Sequence, residues 1–194
     1  NGWCPYLVVK KLKQKKPRTR RPAPGAVDTL IAKTTGAEQL VLKFLKYQGW
    51  RITETLSVRW DRVDLVNSRF ELWISKAGAW KYVPMHPEIR AALIAVPKKQ
   101  RTGKLFPWTW RSGVYKWLRP LCRKLDIEFT PHMARHEWGS DRGGFTDRDL
   151  MGANTWTNEK SVKRYVDSDE NRARDVLEYV PPTPKRRGKI VKLR

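Results

Sequence analysis

Basic residues crowd both ends of the chain, where prolines are frequent and acidic residues are absent. The 194-residue sequence carries 41 Lys+Arg against 19 Asp+Glu, a formal net charge of +22 at pH 7. Segments of like charge that contain proline do not bury a core. We therefore expect a fold confined to residues 28–180, with 1–27 as a basic arm and 181–194 as a basic tail. The basic residues of the arm are Lys10, Lys11, Lys13, Lys15, Lys16, Arg18, Arg20 and Arg21.

The charge also restricts the class of partner. A net charge of about 2–8 is enough to keep a small domain soluble, so +22 indicates a polyanion, and nucleic acid is the first candidate. A basic surface that serves only solubility is the alternative. No run of about 18 apolar residues predicts a membrane span. The two cysteines, Cys4 and Cys122, form neither a zinc motif nor a disulfide framework, which suits a reducing compartment.

Between the ends the pattern is mainly helical. Apolar residues at helical spacing predict an amphipathic helix over 37–48, which Gly49 ends, and a second helix over 52–58. Alternating apolar residues predict a hairpin of strands 69–75 and 80–83 around a turn at 76–79. The sequence thus predicts an α+β fold, mainly α, with a small antiparallel sheet. Further helices are predicted at 87–96, 112–125, 131–142, 147–152, 158–166 and 170–179.

Residues 130–136, Thr-Pro-His-Met-Ala-Arg-His, are the most informative for chemistry. His132 and Arg135 stand three apart on a predicted helix, so both project from one face. Pro131 suits the first turn, where a missing N–H costs little. Imidazole and guanidinium at a helix start fit an anion such as a phosphodiester, although an ordinary basic helix start has the same pattern. The sequence has no Walker or GxSxG motif, and its histidines and cysteines are too scattered for zinc, so we expect no metal or cofactor.

The segment from His132 to His136 resembles the HxxRH box of the tyrosine recombinases, the phage integrase family. Three other segments resemble the remaining boxes of that family, in the family's order. Residues 49–54 resemble the first box, in which an Arg opens a helix. Residues 74–84 resemble the hairpin that carries a lysine, and residues 156–165 resemble the final box with its tyrosine. The resemblance covers about residues 37–180 and implies a tyrosine-recombinase-like catalytic domain.

Two segments depart from the commonest family pattern. Gly-Trp-Arg at 49–51 replaces TGLR, and Met-Gly-Ala-Asn at 151–154 stands where the family usually has Gly-His. Nine residues before Tyr165 lies Trp156, and Trp is an alternative that the family also uses. We expect this sequence to lack the helical DNA clamp that precedes the catalytic domain in the family. The resemblance therefore implies an isolated catalytic domain in which the arm is an interdomain linker.

The resemblance implies a role for each matched residue in cleaving a phosphodiester. Tyr165 is the nucleophile, and it forms a 3′-phosphotyrosyl linkage. Arg51 and Arg135 bind the non-bridging oxygens of the scissile phosphate, because a guanidinium fork neutralises charge that builds on phosphorus. Lys76 donates a proton to the 5′-oxygen leaving group. Lys81, in the facing strand, is the fallback for that role.

The remaining matched residues support these groups. His132 accepts the tyrosine proton or hydrogen-bonds the phosphate. Trp156 donates its indole N–H to the phosphate and packs against the helix of the nucleophile. Glu54, one turn after Arg51, orients that guanidinium by a salt bridge, although a plain surface pair is also compatible with the spacing. His136 packs behind Arg135.

The resemblance implies a site-specific DNA recombinase or integrase that cleaves and rejoins strands without metal or ATP. Its expected partners are double-stranded DNA, other protomers in a synaptic tetramer and accessory DNA-bending proteins, with no membrane. The expected location is cytoplasmic, in a bacterial nucleoid or a phage-infected cell. The alternatives are a non-catalytic DNA-binding module with the same fold, a type IB topoisomerase or telomere resolvase, and a basic scaffold for RNA.

Overall fold

The computed structural model describes residues 21–74 and 77–162, in which helices pack on one face of a small sheet. The mainly helical α+β class is as predicted. The α-helices are α1 (Ala26–Ala32), α2 (Gly36–Lys43), α3 (Ile52–Leu56), α4 (Pro87–Ile94), α5 (Arg111–Lys124), α6 (Pro131–Asp141), α7 (Asp147–Ala153) and α8 (Glu159–Val162). The strands are β1 (Val63–Asp64), β2 (Arg69–Ile74) and β3 (Ala79–Pro84). A π-helical turn, Phe44–Gln48, continues α2, and 3-10 turns lie at Trp60–Arg62 and Lys98–Gln100.

The predicted hairpin is confirmed as strands β2 and β3 of an antiparallel sheet with the order β1-β2-β3. Phe70 pairs with Val83 and Leu72 pairs with Lys81. The apolar positions of β2 point into the core, and the alternate residue Trp73 is half exposed, as the period of two requires. Strand β1 was not predicted, because two residues are too short to show a period.

The main core joins the sheet to the first helices. The ring of Phe44 lies 5.4–5.7 Å from the rings of Trp50, Phe70 and Phe106, at tilted or edge-to-face angles. All four side chains are buried. Because Trp50 is locked into this cluster, the backbone of the next residue, Arg51, is held at a defined place on the domain.

A second buried cluster holds the C-terminal part of the described chain. Trp138 of α6 packs at 5.5 Å from Trp156, and Leu150 of α7 and Val162 of α8 complete the group. These side chains join α6, α7 and α8 into one unit. The segment between α7 and α8 is therefore fixed against α6, the helix that carries His132 and Arg135.

The predicted boundary between the basic arm and the catalytic domain falls within a short helix that the sequence did not predict. Helix α1 begins at Ala26, inside the segment assigned to the arm, and Val27 and Leu30 are buried. The sequence did not predict this short helix, because the prolines and the glycine just before it indicate a linker. The predicted helices at 37–48, 52–58, 87–96, 112–125, 131–142 and 147–152 are confirmed, with ends shifted by a few residues. Helix α8 confirms the described part of the prediction at 158–166, and residues 163–166 lie outside the described residues. The prediction at 170–179 and the tail lie outside the described residues. No helix within the described residues is long and apolar enough to cross a membrane.

Gly49 ends the π-helical turn in a way that a side chain does not allow. Its φ is +62°, and a Cβ atom there meets two ring atoms of Trp138, Cγ and Cδ2, at 2.4 and 2.7 Å and the Cβ of Trp138 at 2.8 Å. We expect Gly49→Ala to lower the free energy of unfolding by about 1–2 kcal/mol, because alanine disfavours the left-handed backbone. Overpacking against Trp138 is expected to lower it by about 1–3 kcal/mol more. Urea unfolding of the purified chain measures the loss.

Gly103→Ala is the matched control for this prediction. Gly103 has a similar φ of +64°, but a Cβ atom added there meets no described atom within 4 Å. Only the backbone cost applies there, so Gly103→Ala is expected to be the milder change. Equal losses in the two variants contradict the close packing of Gly49 on Trp138.

Candidate active site

Arg51 lies immediately before helix α3, where the turn at Gly49 delivers it. Glu54, in the first turn of α3, binds this residue twice. Its Oε2 accepts the Arg51 backbone N–H at 2.9 Å, and its Oε1 accepts from Arg51 NH1 at 2.7 Å. The ion pair that the spacing permits is therefore present, and it holds a guanidinium whose side chain is 36% exposed.

Helix α6 begins as its sequence indicates. Thr130 caps it by accepting the Met133 N–H at 3.3 Å, and Pro131 occupies the first turn. His132 and Arg135 follow three residues apart. The Arg135 side chain is buried, with 1% of the residue exposed. A guanidinium keeps its charge when buried, so it requires acceptors on the protein.

Arg135 NH1 has three such acceptors. It donates to the Gly49 carbonyl oxygen at 2.9 Å, to Thr155 Oγ1 at 3.0 Å and to Asn154 Oδ1 at 3.1 Å. The guanidinium also stacks over the ring of Trp156, 4.7 Å from the ring centroid. These contacts come from two distant parts of the chain, so tertiary packing orients this side chain.

A carboxylate links the two arginines. Thr155 Oγ1 accepts from Arg135 and donates to Glu54 Oε2 at 2.7 Å, while Glu54 itself binds Arg51. The direct distance from Arg135 NH1 to Glu54 Oε2 is 3.7 Å. Glu54 thus orients both guanidinium groups, one directly and one through a hydroxyl. Sequence reasoning missed both residues: Asn154 was named only within a departure from the family pattern, and Thr155 was not considered.

Arg51, His132 and Arg135 line one cavity of about 330 Å³. Three of the predicted site residues, separated by up to 84 positions in sequence, therefore meet at one place. Arg111 and Tyr115, from the first turns of α5, line the same cavity and were not predicted. Their spacing of four residues on an amphipathic helix was the available signal. A larger cavity of about 570 Å³ beside α2 and α4 is lined by none of the predicted residues.

The environment of His132 favours its neutral form. Burial lowers the pKa of this imidazole below its ordinary value of 6.5, and the nearby charges of Arg135 and Arg51 lower it further. Its ring lies 4.6 Å from the ring of His136, edge to face. A neutral imidazole beside two guanidinium groups can accept a proton at neutral pH.

Trp156 and Lys81 are both engaged by the protein interior. Trp156 is 2% exposed and lies between Arg135 and Trp138. Lys81 Nζ donates to the carbonyl oxygens of Met151 and Asn154, the latter at 2.7 Å. Within the described part of the chain, Lys81 is not one of the residues that line the cavity. Its position therefore does not favour the fallback role of proton donor.

Several predicted site residues lie outside the described residues: Lys76, Tyr165 and the arm residues Lys10, Lys11, Lys13, Lys15, Lys16, Arg18 and Arg20. Their roles stay predictions. Arg21, the last basic residue of the arm, is described and exposed. Over residues 21–74 and 77–162, no group of three His, Cys, Asp or Glu side chains is placed to hold a metal ion.

Comparisons with known proteins agree on one family. The sequence model of the phage integrase family matches residues 26–172. Tyrosine recombinase XerA of Saccharolobus solfataricus is 29% identical over 131 residues, which are 64% of this chain and 45% of the relative. The chain thus spans just under half the length of that relative.

Solved structures share the fold. A crystal structure of XerA recombinase superposes with a TM-score of 0.63 at 20% identity, over 84% of this chain and 66% of that one. The Tn1549 transposon integrase, solved in complex with transposon right end DNA, gives a TM-score of 0.64 at 16% identity, over 86% of this chain and 67% of that one. At such low identity these likenesses concern the fold alone.

Proposed function

Because the chain belongs to the phage integrase family of tyrosine recombinases, we propose that it cleaves and rejoins DNA strands at specific sites through a 3′-phosphotyrosyl intermediate. The observation that carries this proposal is the cavity where Arg51, His132 and Arg135 converge. Two cations and a neutral base around one space match what a phosphodiester requires during nucleophilic attack. The known DNA complex of the Tn1549 integrase supports DNA as the substrate class.

Cleavage begins when the Tyr165 phenol oxygen attacks the scissile phosphorus. A bond from that oxygen to phosphorus forms, the bond from phosphorus to the 5′-oxygen breaks, and the phenol proton leaves. The products are a 3′-phosphotyrosine and a free 5′-hydroxyl. Because one phosphodiester replaces another, the ester retains the bond energy. A second 5′-hydroxyl then loses its proton and attacks the same phosphorus, the bond from phosphorus to the Tyr165 oxygen breaks, and the phenol is regenerated as it takes up a proton. DNA is thus resealed without ATP or metal.

The two arginines stabilise the charge that develops on the phosphoryl oxygens. Arg135 is held by its three acceptors before DNA arrives, so little reorganisation is needed during the reaction. Arg51 is more exposed and is steadied by Glu54. We assign Arg51 to follow the incoming phosphate and Arg135 to provide a fixed anion site.

Proton transfer is shared between two groups in this proposal. Neutral His132 takes the phenol proton or hydrogen-bonds the phosphate, because its lowered pKa keeps the imidazole uncharged at neutral pH. Lys76 donates a proton to the departing 5′-oxygen. Trp156 backs Arg135 in this scheme through the stacking contact.

Further contacts extend the DNA surface from the cavity. Arg111 and Tyr115 line it, and Arg119 follows one turn along α5, beside a second, open cavity that Arg111 and Tyr115 also line. The arm supplies eight more cations for phosphates. We propose that α5 and the arm track the duplex, with the folded unit beginning at α1 and the tail after 180 lying outside it. Full recombination uses several protomers on two DNA sites.

The test is covalent capture of DNA. The purified chain is incubated with nicked suicide duplexes that carry a randomised target region, and complexes that resist SDS are recovered and sequenced. The proposal expects adducts that enrich a defined sequence. A type IB topoisomerase activity gives adducts without enrichment. If the chain binds these duplexes in a salt-sensitive way but forms no adduct with any of them, the proposed enzymatic activity is refuted. The chain is then a DNA-binding module of the same fold.

The acid limb of the cleavage rate reports on His132. Since its pKa is lowered from 6.5, the imidazole stays neutral until the pH falls below that value, and protonation then removes the base. We expect the single-turnover cleavage rate to fall as the pH is lowered, with its midpoint at a pH below 6.5. His132→Asn is expected to cleave slowly, with a rate that depends little on pH in this acid range. The measurement is the cleavage rate against pH on the recovered sequence.

His86 is the control for the pH dependence. Its pKa is also lowered by burial, but this residue caps α4 and, among the described residues, is not part of the cavity lining. His86→Gln is expected to keep the acid limb of the unmodified chain. A limb that vanishes in His86→Gln, or a midpoint above 6.5, contradicts the assignment of His132 as the base.

A further inference from the structure

A buried polar network lies behind the cavity and accounts for how Arg135 is held. Asn154, the residue after α7, is fully buried. Its Oδ1 accepts from Arg135 NH1 at 3.1 Å and from the Thr155 N–H at 2.6 Å. Its Nδ2 donates to the Gln48 carbonyl oxygen at 2.8 Å. One amide side chain thus connects the site arginine to the backbone that leads into Gly49.

Gln48 extends this network to the end of the sheet. Its side-chain Nε2 donates to the Pro84 carbonyl oxygen at 2.9 Å, and its Oε1 accepts the His86 N–H at 2.6 Å. The carbonyl oxygen of the next residue, Gly49, accepts a hydrogen bond from Arg135 NH1. Two of the atoms that accept from Arg135, Gly49 O and Asn154 Oδ1, belong to segments that are hydrogen-bonded to each other. A shift in either segment therefore moves the guanidinium.

Lys81 secures the other side of the network. It lies opposite Leu72 on the inward face of β3, and its ammonium group donates to the carbonyl oxygens of Met151 and Asn154 at the C-terminal end of α7. A cation is favourable there, because the last carbonyls of a helix have no partner within the helix. The amine therefore fixes the backbone from which the Asn154 side chain reaches Arg135.

We propose that Asn154 and Lys81 are positioning residues that set the orientation of the Arg135 guanidinium. Asn154 acts through its amide oxygen, and Lys81 acts through the backbone of Asn154. The reaction-rate part of this proposal rests on the proposed function, but the orientation of Arg135 does not. Effects of such distant support on catalysis arise because a displacement of about 1 Å at a reacting group can cost about 100-fold in rate.

The test that does not require DNA is the NMR spectrum of the arginine side chains in the full chain, labelled with 15N-arginine. Arg135 is assigned by comparison with Arg135→Lys. We expect the unmodified chain to show separate, slowly exchanging Nη protons for Arg135, because NH1 is bound by three acceptors. In Asn154→Ala and in Lys81→Met these signals are expected to broaden or merge. Unchanged Arg135 signals in both variants overturn the proposal.

Conservative and distant variants separate positioning from general damage. Asn154→Asp keeps an acceptor for Arg135, so it is expected to retain the resolved signals that Asn154→Ala loses. Thr34→Val removes a buried hydroxyl that donates to the Leu30 carbonyl oxygen at 2.9 Å, away from the network, and is expected to leave Arg135 unchanged. If Asn154→Ala fails to fold, Lys81→Met and Asn154→Asp decide the result. Loss of the signals in Thr34→Val also overturns the proposal.

The activity arm separates positioning from proton donation. On the captured DNA sequence, Lys81→Met is expected to lower single-turnover cleavage by about 100-fold with DNA affinity nearly unchanged. A substrate with sulfur in place of the 5′-bridging oxygen needs no proton on its leaving group. The Lys81→Met deficit is expected to persist on that substrate, and its recovery there contradicts a positioning role. Absence of any adduct in the unmodified chain counts against the proposed function alone, since the NMR arm still decides the orientation of Arg135.

Discussion

Tyr165→Phe is expected to abolish the covalent protein–DNA adduct while leaving DNA binding intact. The substitution removes one oxygen, the atom that we propose bonds to phosphorus, and keeps the aromatic ring. Because we propose that cations of the arm and of the cavity hold the DNA, the affinity and salt dependence of binding are expected to stay close to those of the unmodified chain. The measurement compares SDS-resistant adduct with gel-shift affinity on the same nicked duplex.

Tyr115→Phe is the matched control, because Tyr115 is the tyrosine that lines the cavity within the described residues. Each change removes a phenol oxygen and nothing else. If Tyr165 is the nucleophile, Tyr115→Phe still forms the adduct, at a rate reduced by whatever its hydroxyl contributes to binding. If instead the adduct survives in Tyr165→Phe and is lost in Tyr115→Phe, the nucleophile is Tyr115 of α5. The assignment of Tyr165 from the family resemblance is then wrong for this chain.

Arg135→Ala is expected to lower the single-turnover cleavage rate by about 100-fold to 1,000-fold, or about 2.7–4 kcal/mol of transition-state stabilisation. Arg135 is a charge fixed in a buried position before DNA binds, which is where an electrostatic contact is strongest. Since removing it also takes one hydrogen-bond donor from Asn154 Oδ1 and from Thr155 Oγ1, Arg135→Lys is measured in parallel. Thermal unfolding of each variant separates loss of catalysis from loss of fold.

Arg142→Ala provides the comparison for this prediction. Arg142 makes the same kind of contact as Arg135, with its guanidinium 4.4 Å from the ring centroid of Trp138 and its NH1 donating to a backbone carbonyl oxygen. Among the described residues it is not one that lines the cavity. We expect its loss to affect stability more than cleavage. A rate loss equal to that of Arg135→Ala indicates that both arginines act only through packing.

Much of the fold followed from local pattern. The alternation of Phe70, Leu72 and Ile74 located β2 and its buried face, and Thr130-Pro131 located the start of α6. Both signals arise from a few consecutive residues, so they can be recognised in the sequence without knowledge of the tertiary structure. Helix α1 was missed because local composition pointed the other way. Its Val27 and Leu30 are helical because the core covers them.

The candidate site divides in the same way. The family boxes nominated Arg51, His132 and Arg135, and these three converge on one cavity. The contacts that orient them are long-range, since Asn154 bonds to a carbonyl 106 positions earlier. No periodicity or motif encodes such a pair.

Side-chain type and short-range spacing were thus enough to indicate the class of fold, the family resemblance and the identity of the cationic groups. Tertiary structure alone decided that Thr155 joins Glu54 to Arg135, that Lys81 faces the end of α7 rather than the cavity, and that Tyr115 is beside the arginines. The physical reason is that chemistry belongs to single residues, whereas orientation depends on how buried donors and acceptors from distant segments satisfy one another once water is excluded.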